Sequence, residues 1–446
     1  MRIKSFLALL GAATLISSPA QADDPAKGSS EPEATLIEAG RLVDTVSGRV
    51  LENQMILVEG GKIAAIGAQS EIEGMPLPDA VKRVDLSGHT VLPGLMDSHV
   101  HLIGNSNLHG YKSLAESTPS AAIYGTVNAR KTLMAGFTTV RNVGAPGFAD
   151  VDLMNAIDEG VITGPRMIPA GRSIGITGGH CDNNLLPYED QKTSGGVADG
   201  PWAVRAKVRE NNKYGAKVIK FCGTGGVLSK GTKIGAQQFS FEEMKAIVDE
   251  AHLLGLKVAV HAHGEEGINT AIRAGVDSVE HASFISDEGI AEAKTRGTYL
   301  SMDIYVSDYI LSEGEEAGIL EESLAKERTV GKKQRERFQA AVEAGANIAF
   351  GTDAGVYPHG DNGRQMKYMV KWGLTPMQAL QAATINNAKL FGVEDMSGSL
   401  EAGKYADIIA VDGDPIADIG EMEDVDFVMK GGVIHKAAEE IYSLPN

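Results

Sequence analysis

Runs of apolar residues divide the chain into a helix-rich middle and two strand-rich ends. Near the N-terminus, a Gly-Gly pair separates the apolar runs 56–59 and 62–67, which is a hairpin signal. Near the C-terminus, residues 407–411 and 427–434 are strand-like, and a second Gly-Gly pair marks a turn. Because neither end is long enough to bury a core of its own, we expect both to pair into one small β domain.

The middle of the chain alternates strand and helix patterns. Ser240 and Glu243 form a capping box, an apolar stripe at helical spacing follows, and Gly255 ends that helix ahead of the buried strand 258–260. Eight candidate strands, most of them separated by helical patterns, begin near Val91, Thr138, Arg166, Val218, Val258, Ser278, Thr298 and Asn347. This succession predicts a barrel of parallel strands.

The predicted fold class is therefore α/β: a (β/α)8 TIM-type barrel with a small β-sandwich domain built from both chain ends. We assign residues 91–396 to the barrel and residues 35–90 plus 397–440 to the small β domain. In such barrels the active site lies at the carboxyl ends of the strands, so polar residues at those ends are the candidates for chemistry.

The first 22 residues have the pattern of a cleaved signal peptide. A basic start and the apolar run 6–16 lead to a small-x-small ending at Ala22. That run is too short to serve as a stable membrane anchor. Residues 23–34, rich in Pro, Gly, Ser and acids, are predicted to form a disordered leader. We therefore expect an exported protein, periplasmic or secreted.

Composition narrows the possible partners. The formal net charge of the 446 residues is −18, which argues against a nucleic-acid partner because such proteins normally carry a basic surface. The two cysteines, Cys181 and Cys222, could form a disulfide in an exported protein. Two cysteines make no disulfide framework, however, and two buried free thiols are the favoured interpretation.

Residue types that bind divalent cations stand where the predicted strands end. Imidazoles and carboxylates are expected ligands of Zn²⁺ and similar ions, and an i, i+2 spacing puts two side chains on one face of a strand. Any one of these residues could be structural, but their placement at successive strand ends predicts a metal site. The candidates are His99 and His101 on the first strand, His261 and His263 on the fifth, His281 on the sixth and Asp353 on the eighth.

Lys220 ends the fourth predicted strand, after the apolar pair Val218 and Ile219. A lysine at such a position is costly to bury as a cation, and one interpretation is that it snorkels to water or forms an ion pair. The alternative is that burial lowers its pKa and lets the neutral amine react with CO2. The resulting carbamate has two oxygens, which could bridge two metal ions.

These residues resemble the pattern of the amidohydrolase superfamily over nearly the whole mature chain. The segments 91–101 and 398–409 are typical of it. The chain looks most similar to the imidazolonepropionase-related branch, which contains Xaa-Pro dipeptidases, carboxypeptidase-like enzymes for N-acylated amino acids and ochratoxin-hydrolysing amidases. The matching segments are 177–180, 220–227 and 261–264.

The resemblance implies roles for individual residues. Two divalent ions, with Zn²⁺ expected, would be held by His99, His101 and Asp353 and by His261 and His281, with carboxylated Lys220 bridging them. Asp353 would also move protons. Positions matching His180 and His263 touch the substrate or its scissile carbonyl, and Val227 would line the pocket. We further expect the loop of Gly225 and Gly226 to bring backbone N–H groups close to the substrate. The family also suggests a homo-oligomer, with an octamer as one form.

Two departures from related deaminases bear on the reaction. Imidazolonepropionase and many mononuclear deaminases carry a glutamate three residues after the fifth-strand histidine, where this chain has Gly264, and they usually lack the lysine found here as Lys220. Both differences favour a binuclear amidohydrolase that cleaves small amides, such as Xaa-Pro dipeptides, N-acyl amino acids or ochratoxin-like molecules. The alternatives are a lactonase or phosphotriesterase, a deaminase, and a non-catalytic metal-binding protein. Specificity would lie in the loops 181–202 and 305–326.

Overall fold

The computed structural model of the chain describes residues 34–78 and 80–437. The predicted signal peptide, the predicted leader up to residue 33 and residues 438–440 of the predicted β domain lie outside the described residues. Ala34, which we had placed in the leader, is the first residue of the first strand. Within the described residues, no helix combines the length and the apolar character needed to cross a membrane.

Strands and helices alternate through the middle of the chain. The strands are β1 Ala34–Asp44, β2 Arg49–Glu59, β3 Lys62–Ala68, β4 Val81–Pro93, β5 Leu95–Val100, β6 Phe137–Asn142, β7 Arg166–Pro169, β8 Val218–Cys222, β9 Lys257–Ala262, β10 Ser278–His281, β11 Tyr299–Ser301, β12 Asn347–Ala349, β13 Ile408–Asp412, β14 Phe427–Lys430 and β15 Val433–Lys436. The α-helices are α1 Gln69–Ile72, α2 Thr118–Met134, α3 Ala149–Asp158, α4 Pro201–Lys213, α5 Phe241–Leu253, α6 Glu265–Ala274, α7 Asp287–Arg296, α8 Val306–Ser312, α9 Gly314–Ala317, α10 Glu321–Glu343, α11 Arg364–Lys371, α12 Pro376–Gln381 and α13 Asn387–Phe391.

Strands from both chain ends form one mixed sheet of seven strands, in the order β15-β14-β13-β4-β1-β2-β3. We expected a sandwich of two sheets, but β13 pairs directly with β4, so the two ends share one continuous ladder. The sheet folds back on itself, because Lys62 of β3 bridges Tyr405 and the amide of Ala406 donates to the carbonyl of Gly61. Its enclosed core includes Ile37 and Phe427.

Eight parallel strands, β5 to β12, lie in two sheets with the orders β5-β6-β7 and β12-β11-β10-β9-β8. Parallel bridges join the two sheets at both seams: Ile174, after β7, pairs with Phe221 of β8, and Val100 of β5 pairs with Ala354, after β12. This is an α/β fold of the TIM-barrel type, in which the carboxyl ends of the strands meet at one face.

The local predictions can be compared with the observed elements. The capping box of Ser240 and Glu243 is present at the start of α5, which confirms that prediction. The prediction that the first parallel strand begins near Val91 was wrong by four residues, because Val91 belongs to β4 of the seven-stranded sheet and β5 begins at Leu95. The apolar run continues through Gly94 from one sheet into the other, so hydrophobicity alone does not mark the change.

Candidate active site

A cavity of about 240 Å³ lies at the carboxyl ends of the parallel strands. Nine of the eleven predicted site residues line it, all except Gly225 and Gly226. The nine are His99, His101, His180, Lys220, Val227, His261, His263, His281 and Asp353. The fold thus brings together side chains that the chain separates by more than 250 positions.

Two groups of side chains in this cavity are close enough to share a cation. Ligand atoms of His99, His281 and Asp353 lie within 4.8 Å of one another, and so do those of His261, His263 and His281. Nε2 of His261 is fully buried and has no hydrogen-bond partner in the described part of the chain. Because a buried imidazole nitrogen without a partner is costly, the donor set fits a divalent metal.

Asp353 lies between His99 and His101, the two histidines at the end of β5. Its Oδ1 is 3.3 Å from Nε2 of His99 and 3.5 Å from Nε2 of His101. Burial alone would raise the pKa of Asp353, but the neighbouring histidines outweigh it and hold the pKa below its usual range. Asp353 and His281 also adopt φ angles of 56° and 68°, a left-handed conformation that non-glycine residues rarely take. Such backbone strain clusters at sites where side-chain direction matters.

Lys220 lies on β8 with its side chain buried at the cavity wall. No hydrogen bond from its ammonium group reaches an acceptor among the described residues. Burial lowers the pKa of Lys220 to about 8, although Glu280 and Asp353 partly oppose this. A fraction of the amine is therefore neutral at physiological pH, and a neutral amine is nucleophilic.

His180 and His263 lie beside the candidate metal ligands, and a serine holds one ring nitrogen of each. Nδ1 of His180 is 2.8 Å from Oγ of Ser229, and Nδ1 of His263 is 2.8 Å from Oγ of Ser283. The His180 ring also stacks on His261, with ring centroids 4.0 Å apart. Burial lowers the pKa of His180 to about 3 and that of His263 well below its ordinary value, so both rings are neutral at pH 7. Each leaves Nε2 for a substrate or a cation.

The predicted loop of Gly225 and Gly226 does not line the cavity, although Val227 does. The N–H of Gly225 donates to the carbonyl of Ala236 at 2.9 Å, so it is not free to donate to a substrate. Gly226 packs against the ring of His180: a Cβ added there would lie 2.7 Å from Nε2 and closer still to other ring atoms. Gly226 thus makes room for His180, and the predicted approach of its N–H to a substrate stays a prediction.

Cys181 and Cys222 are joined by a disulfide, with their Cα atoms 5.9 Å apart. The expectation of two free thiols was therefore wrong. Cys222 lies two residues after Lys220 on β8, which places both on the same face, and Cys181 directly follows His180. Both cysteines line the cavity, so the disulfide ties the segment that carries His180 to the strand that carries Lys220.

Comparison with known proteins identifies the family, because residues 90–435 match the amidohydrolase family. The chain belongs to this family. Ochratoxinase from Aspergillus niger is 33% identical over 434 residues, covering 91% of this chain and 87% of that protein. An imidazolonepropionase from Streptococcus gordonii is 25% identical over 407 residues, covering 82% of this chain and 85% of that protein. These matches confirm the predicted family and the predicted branch. They also confirm that the protein is a hydrolase.

Solved structures agree with this amidohydrolase assignment. The crystal structure of a Xaa-Pro dipeptidase with methionine bound in its active site superposes with a TM-score of 0.84 at 40% identity, covering 91% of this chain and 100% of that chain. The crystal structure of A. niger ochratoxinase superposes with a TM-score of 0.80 at 30% identity, covering 92% of this chain and 96% of that chain.

Sequence reasoning missed the residues that orient the histidines of this amidohydrolase site. Nδ1 of His281 is 2.9 Å from Oδ1 of Asp303, and Gln334 donates to the same oxygen at 2.8 Å. Contacts of this kind fix the orientation of the imidazole ring and leave its Nε2 free to bind a metal. Asp303 follows the seventh parallel strand by two positions. The histidines were predicted because they are polar residues at strand ends. The same criterion could have identified Asp303.

A buried ion pair lies beneath His99. Arg141 donates from Nη2 to Oε1 of Glu280 at 2.8 Å and from Nε to the carbonyl of Ser98 at 2.6 Å. The other oxygen of Glu280 is 3.1 Å from Nδ1 of His99, close enough for an ion pair but not aligned as a hydrogen bond. Burial would raise the pKa of Glu280, but Arg141 and His99 outweigh it and hold the pKa well below its usual range. The sequence signal that could have revealed this pair is the presence of a charged residue inside each of the apolar strands β6 and β10.

Proposed function

We propose that the protein is a binuclear metal-dependent amidohydrolase that cleaves the amide or peptide bonds of small molecules. The proposed substrates are Xaa-Pro dipeptides, N-acyl amino acids and ochratoxin-like amides. The similarity to a Xaa-Pro dipeptidase structure and to ochratoxinase supports these classes. A cavity of about 240 Å³ suits a small ligand, since ligand sites of roughly 300–1,000 Å³ hold drug-sized molecules.

The position of Lys220 is the observation that carries the proposal. A largely buried ammonium group without a hydrogen-bond acceptor is a poor structural cation, because the nearby carboxylates of Glu280 and Asp353 offset only part of its lost hydration. Its lowered pKa favours reaction of the neutral amine with CO2. The carbamate would present two oxygens and one negative charge to the surrounding imidazoles and Asp353. That chemistry is suited to bridging two cations.

The cations would be held by the predicted ligands: His99, His101 and Asp353 for one, His261 and His281 for the other, and carboxylated Lys220 for both. When bound, the two ions, proposed to be Zn²⁺, would supply Lewis-acid activation of a water molecule and of the scissile carbonyl. Two of these ligands have the neutral protonation state that metal binding needs, because the pKa of His101 is lowered to about 4 and that of His261 lies well below its ordinary value.

Side chains of the protein would carry out the proton transfer and stabilise the oxyanion. Asp353 is held as a carboxylate, so it can accept the proton of the attacking water and pass it to the nitrogen of the leaving amine. If the hydroxyls of Ser229 and Ser283 donate to Nδ1 of His180 and His263, each Nε2 carries the proton. These N–H groups would then donate to the developing oxyanion of the substrate.

The proposal is tested by metal content and by hydrolysis. Elemental analysis of protein saturated with Zn²⁺ and bicarbonate should give about two ions per chain. The same preparation should hydrolyse Xaa-Pro dipeptides or N-acyl amino acids with a higher kcat/KM than matched esters and lactones. A stoichiometry that remains at one, or hydrolysis confined to esters and lactones, would contradict the proposal.

We extend the proposal to the architecture and location of the enzyme. The backbone bridges at both seams support closure of the eight parallel strands into one barrel. The Cys181–Cys222 disulfide supports export, because disulfides persist in oxidising compartments. The homo-oligomer suggested by the family, with an octamer as one form, is checked by light scattering on the purified protein.

A further inference from the structure

His359 is a buried histidine that does not line the cavity and has no part in the proposed hydrolysis. Its Nε2 lies 3.0 Å from the carbonyl oxygen of His101, one of the candidate metal ligands. Its Nδ1 lies 3.1 Å from the hydroxyl oxygen of Thr132 on α2. Both ring nitrogens thus have partners, and these two hydrogen bonds fix the orientation of the ring.

The two partners of His359 determine which of its ring nitrogens carries a proton. A carbonyl oxygen can only accept a hydrogen bond, so Nε2 must donate to His101. Burial lowers the pKa of His359 to about 4, although the bond to His101 opposes this, so the ring is neutral at pH 7 and Nδ1 has no proton. The hydroxyl of Thr132 must then donate to Nδ1. The hydrogen bonds therefore run in one direction, from Thr132 through His359 to the carbonyl of His101.

The chain between Asp353 and His359 holds the backbone of His101 at both of its polar groups. The amide of His101 donates to the carbonyl of Ala354 at 2.7 Å, and its carbonyl accepts from His359. Gly355 permits this close approach, because a Cβ added there would lie 2.5 Å from the carbonyl oxygen of His101. The same stretch of chain begins with Asp353, whose Oδ1 is 3.5 Å from Nε2 of His101. Two candidate ligands of one cation are therefore joined through the backbone.

His101 depends on these backbone contacts more than His99 does. The side chain of His99 is 1% exposed and lies against Glu280 as well as Asp353. The side chain of His101 is 37% exposed, and the carbonyl of Gly144 is the further polar neighbour of its ring. Because packing encloses this ring less, its position depends more on where the backbone places it.

Within the proposed binuclear hydrolysis, we propose that His359 is a positioning residue, which fixes the backbone of His101 and thereby sets its ring against Asp353 for one of the two cations. His359 would act through His101 and touch neither the substrate nor the cation. Replacing a group that orients a metal ligand typically lowers metal affinity about 10- to 100-fold. His261 and His281, the candidate ligands of the other cation, lie on β9 and β10, so the effect should be confined to one site.

The first test is calorimetric titration of metal-free protein with Zn²⁺ in the presence of bicarbonate. His359→Leu removes the donor and keeps most of the side-chain volume. We expect one of the two ions to bind about 10- to 100-fold more weakly in this variant, while the other keeps its wild-type affinity. His359→Gln should restore most of the loss, because its amide group can still donate to the carbonyl of His101.

His109 provides a matched control, since its Nε2 lies 3.0 Å from the carbonyl oxygen of Val356, between Asp353 and His359. His109→Leu removes a comparable hydrogen bond to a residue that is not a candidate ligand, so Zn²⁺ affinity should stay at the wild-type value. Equal losses in His109→Leu and His359→Leu would overturn the inference, because the effect would then be a general loosening of this stretch. Unchanged Zn²⁺ affinity in His359→Leu would overturn it as well.

The proton on the ring of His359 gives a readout that needs neither metal nor turnover. In metal-free wild type, ¹⁵N NMR of histidine-labelled protein should show Nε2 protonated and Nδ1 unprotonated, with the signal assigned by its loss in His359→Gln. A proton on Nδ1 instead would overturn the inference, even if His359→Leu does not fold. If wild type binds a single ion, the binuclear proposal fails, whereas weaker binding of that ion in His359→Leu than in His109→Leu would still support the positioning role.

Discussion

Replacing Arg141 by methionine should destabilise the protein strongly, because the buried carboxylate of Glu280 would lose its arginine partner and keep only His99 and the hydroxyl of Ser278 beside it. The two side chains are 1% and 0% exposed and 2.8 Å apart. Arg141 also holds the carbonyl of Ser98, one residue before His99. Methionine fills part of the space of the arginine stem but makes neither contact.

The expected loss of stability in Arg141→Met follows from the complete burial of the ion pair. Removing one partner of a fully buried ion pair costs about 3–5 kcal/mol of the free energy of unfolding. An exposed pair provides the control: Arg83 and Glu38 are 3.0 Å apart, with side chains 56% and 35% exposed. For Arg83→Met we expect a cost below about 1 kcal/mol. The double variant Arg141→Met/Glu280→Gln should recover part of the loss, since no buried charge remains.

The assay is equilibrium urea unfolding, followed by circular dichroism, of wild type, each single variant and the double variant. Two results would refute the reasoning. One is a cost for Arg141→Met as small as that for Arg83→Met. The other is a double variant whose loss equals the sum of the losses for Arg141→Met and Glu280→Gln, because the charge left on Glu280 would then carry no penalty.

The cost of Arg141→Met should also depend on pH. In wild type the pKa of Glu280 lies below its ordinary value, so its contribution to stability is present above that ordinary value and is lost only in strong acid. Without Arg141, the pKa of Glu280 should rise, because only His99 and Lys220 would then oppose the effect of burial. Such a group stabilises the fold at low pH and loses that contribution as pH rises through the raised pKa. The difference from wild type should therefore shrink as pH falls towards the ordinary pKa of a glutamate.

Three further predictions concern the site and the N-terminus. Lys220→Ala should lose binuclear metal binding and nearly all activity, and a short-chain carboxylic acid should restore part of both; wild-type rate and metal content in Lys220→Arg would refute the carbamate. Gly226→Ala should displace the ring of His180 and lower kcat/KM about 10- to 100-fold without changing the circular dichroism spectrum, and an unchanged kcat/KM would show that this ring position is unimportant. Mass spectrometry of protein expressed from its native start should find a chain beginning near Asp23, whereas intact Met1 would contradict export.

Local patterns in the sequence located most of the parallel strands. Seven of the eight predicted starts lie within one residue of the observed ones, from Thr138 against Phe137 to Asn347 itself. Capping boxes, terminating glycines and apolar periodicity act over a few residues, so one sequence shows them. The position of His99, Lys220 and Asp353 at strand ends was then enough to predict that they meet in one cavity.

Features that depend on which segments meet in space were decided by the tertiary structure. Cys181 and Cys222 are 41 positions apart, and only the approach of the His180 segment to β8 brings their sulfur atoms together. Gly225 lost its predicted role because Ala236 accepts its N–H.

The tertiary structure also decided which residues orient the histidines of the candidate metal site. Asp303 supports His281, and Arg141 reaches Glu280 from a strand in the other sheet. Apolar periodicity along the chain shows which face of an element is buried, but it does not show which side chain lies opposite. The strand order and register of the folded sheets therefore decided these contacts.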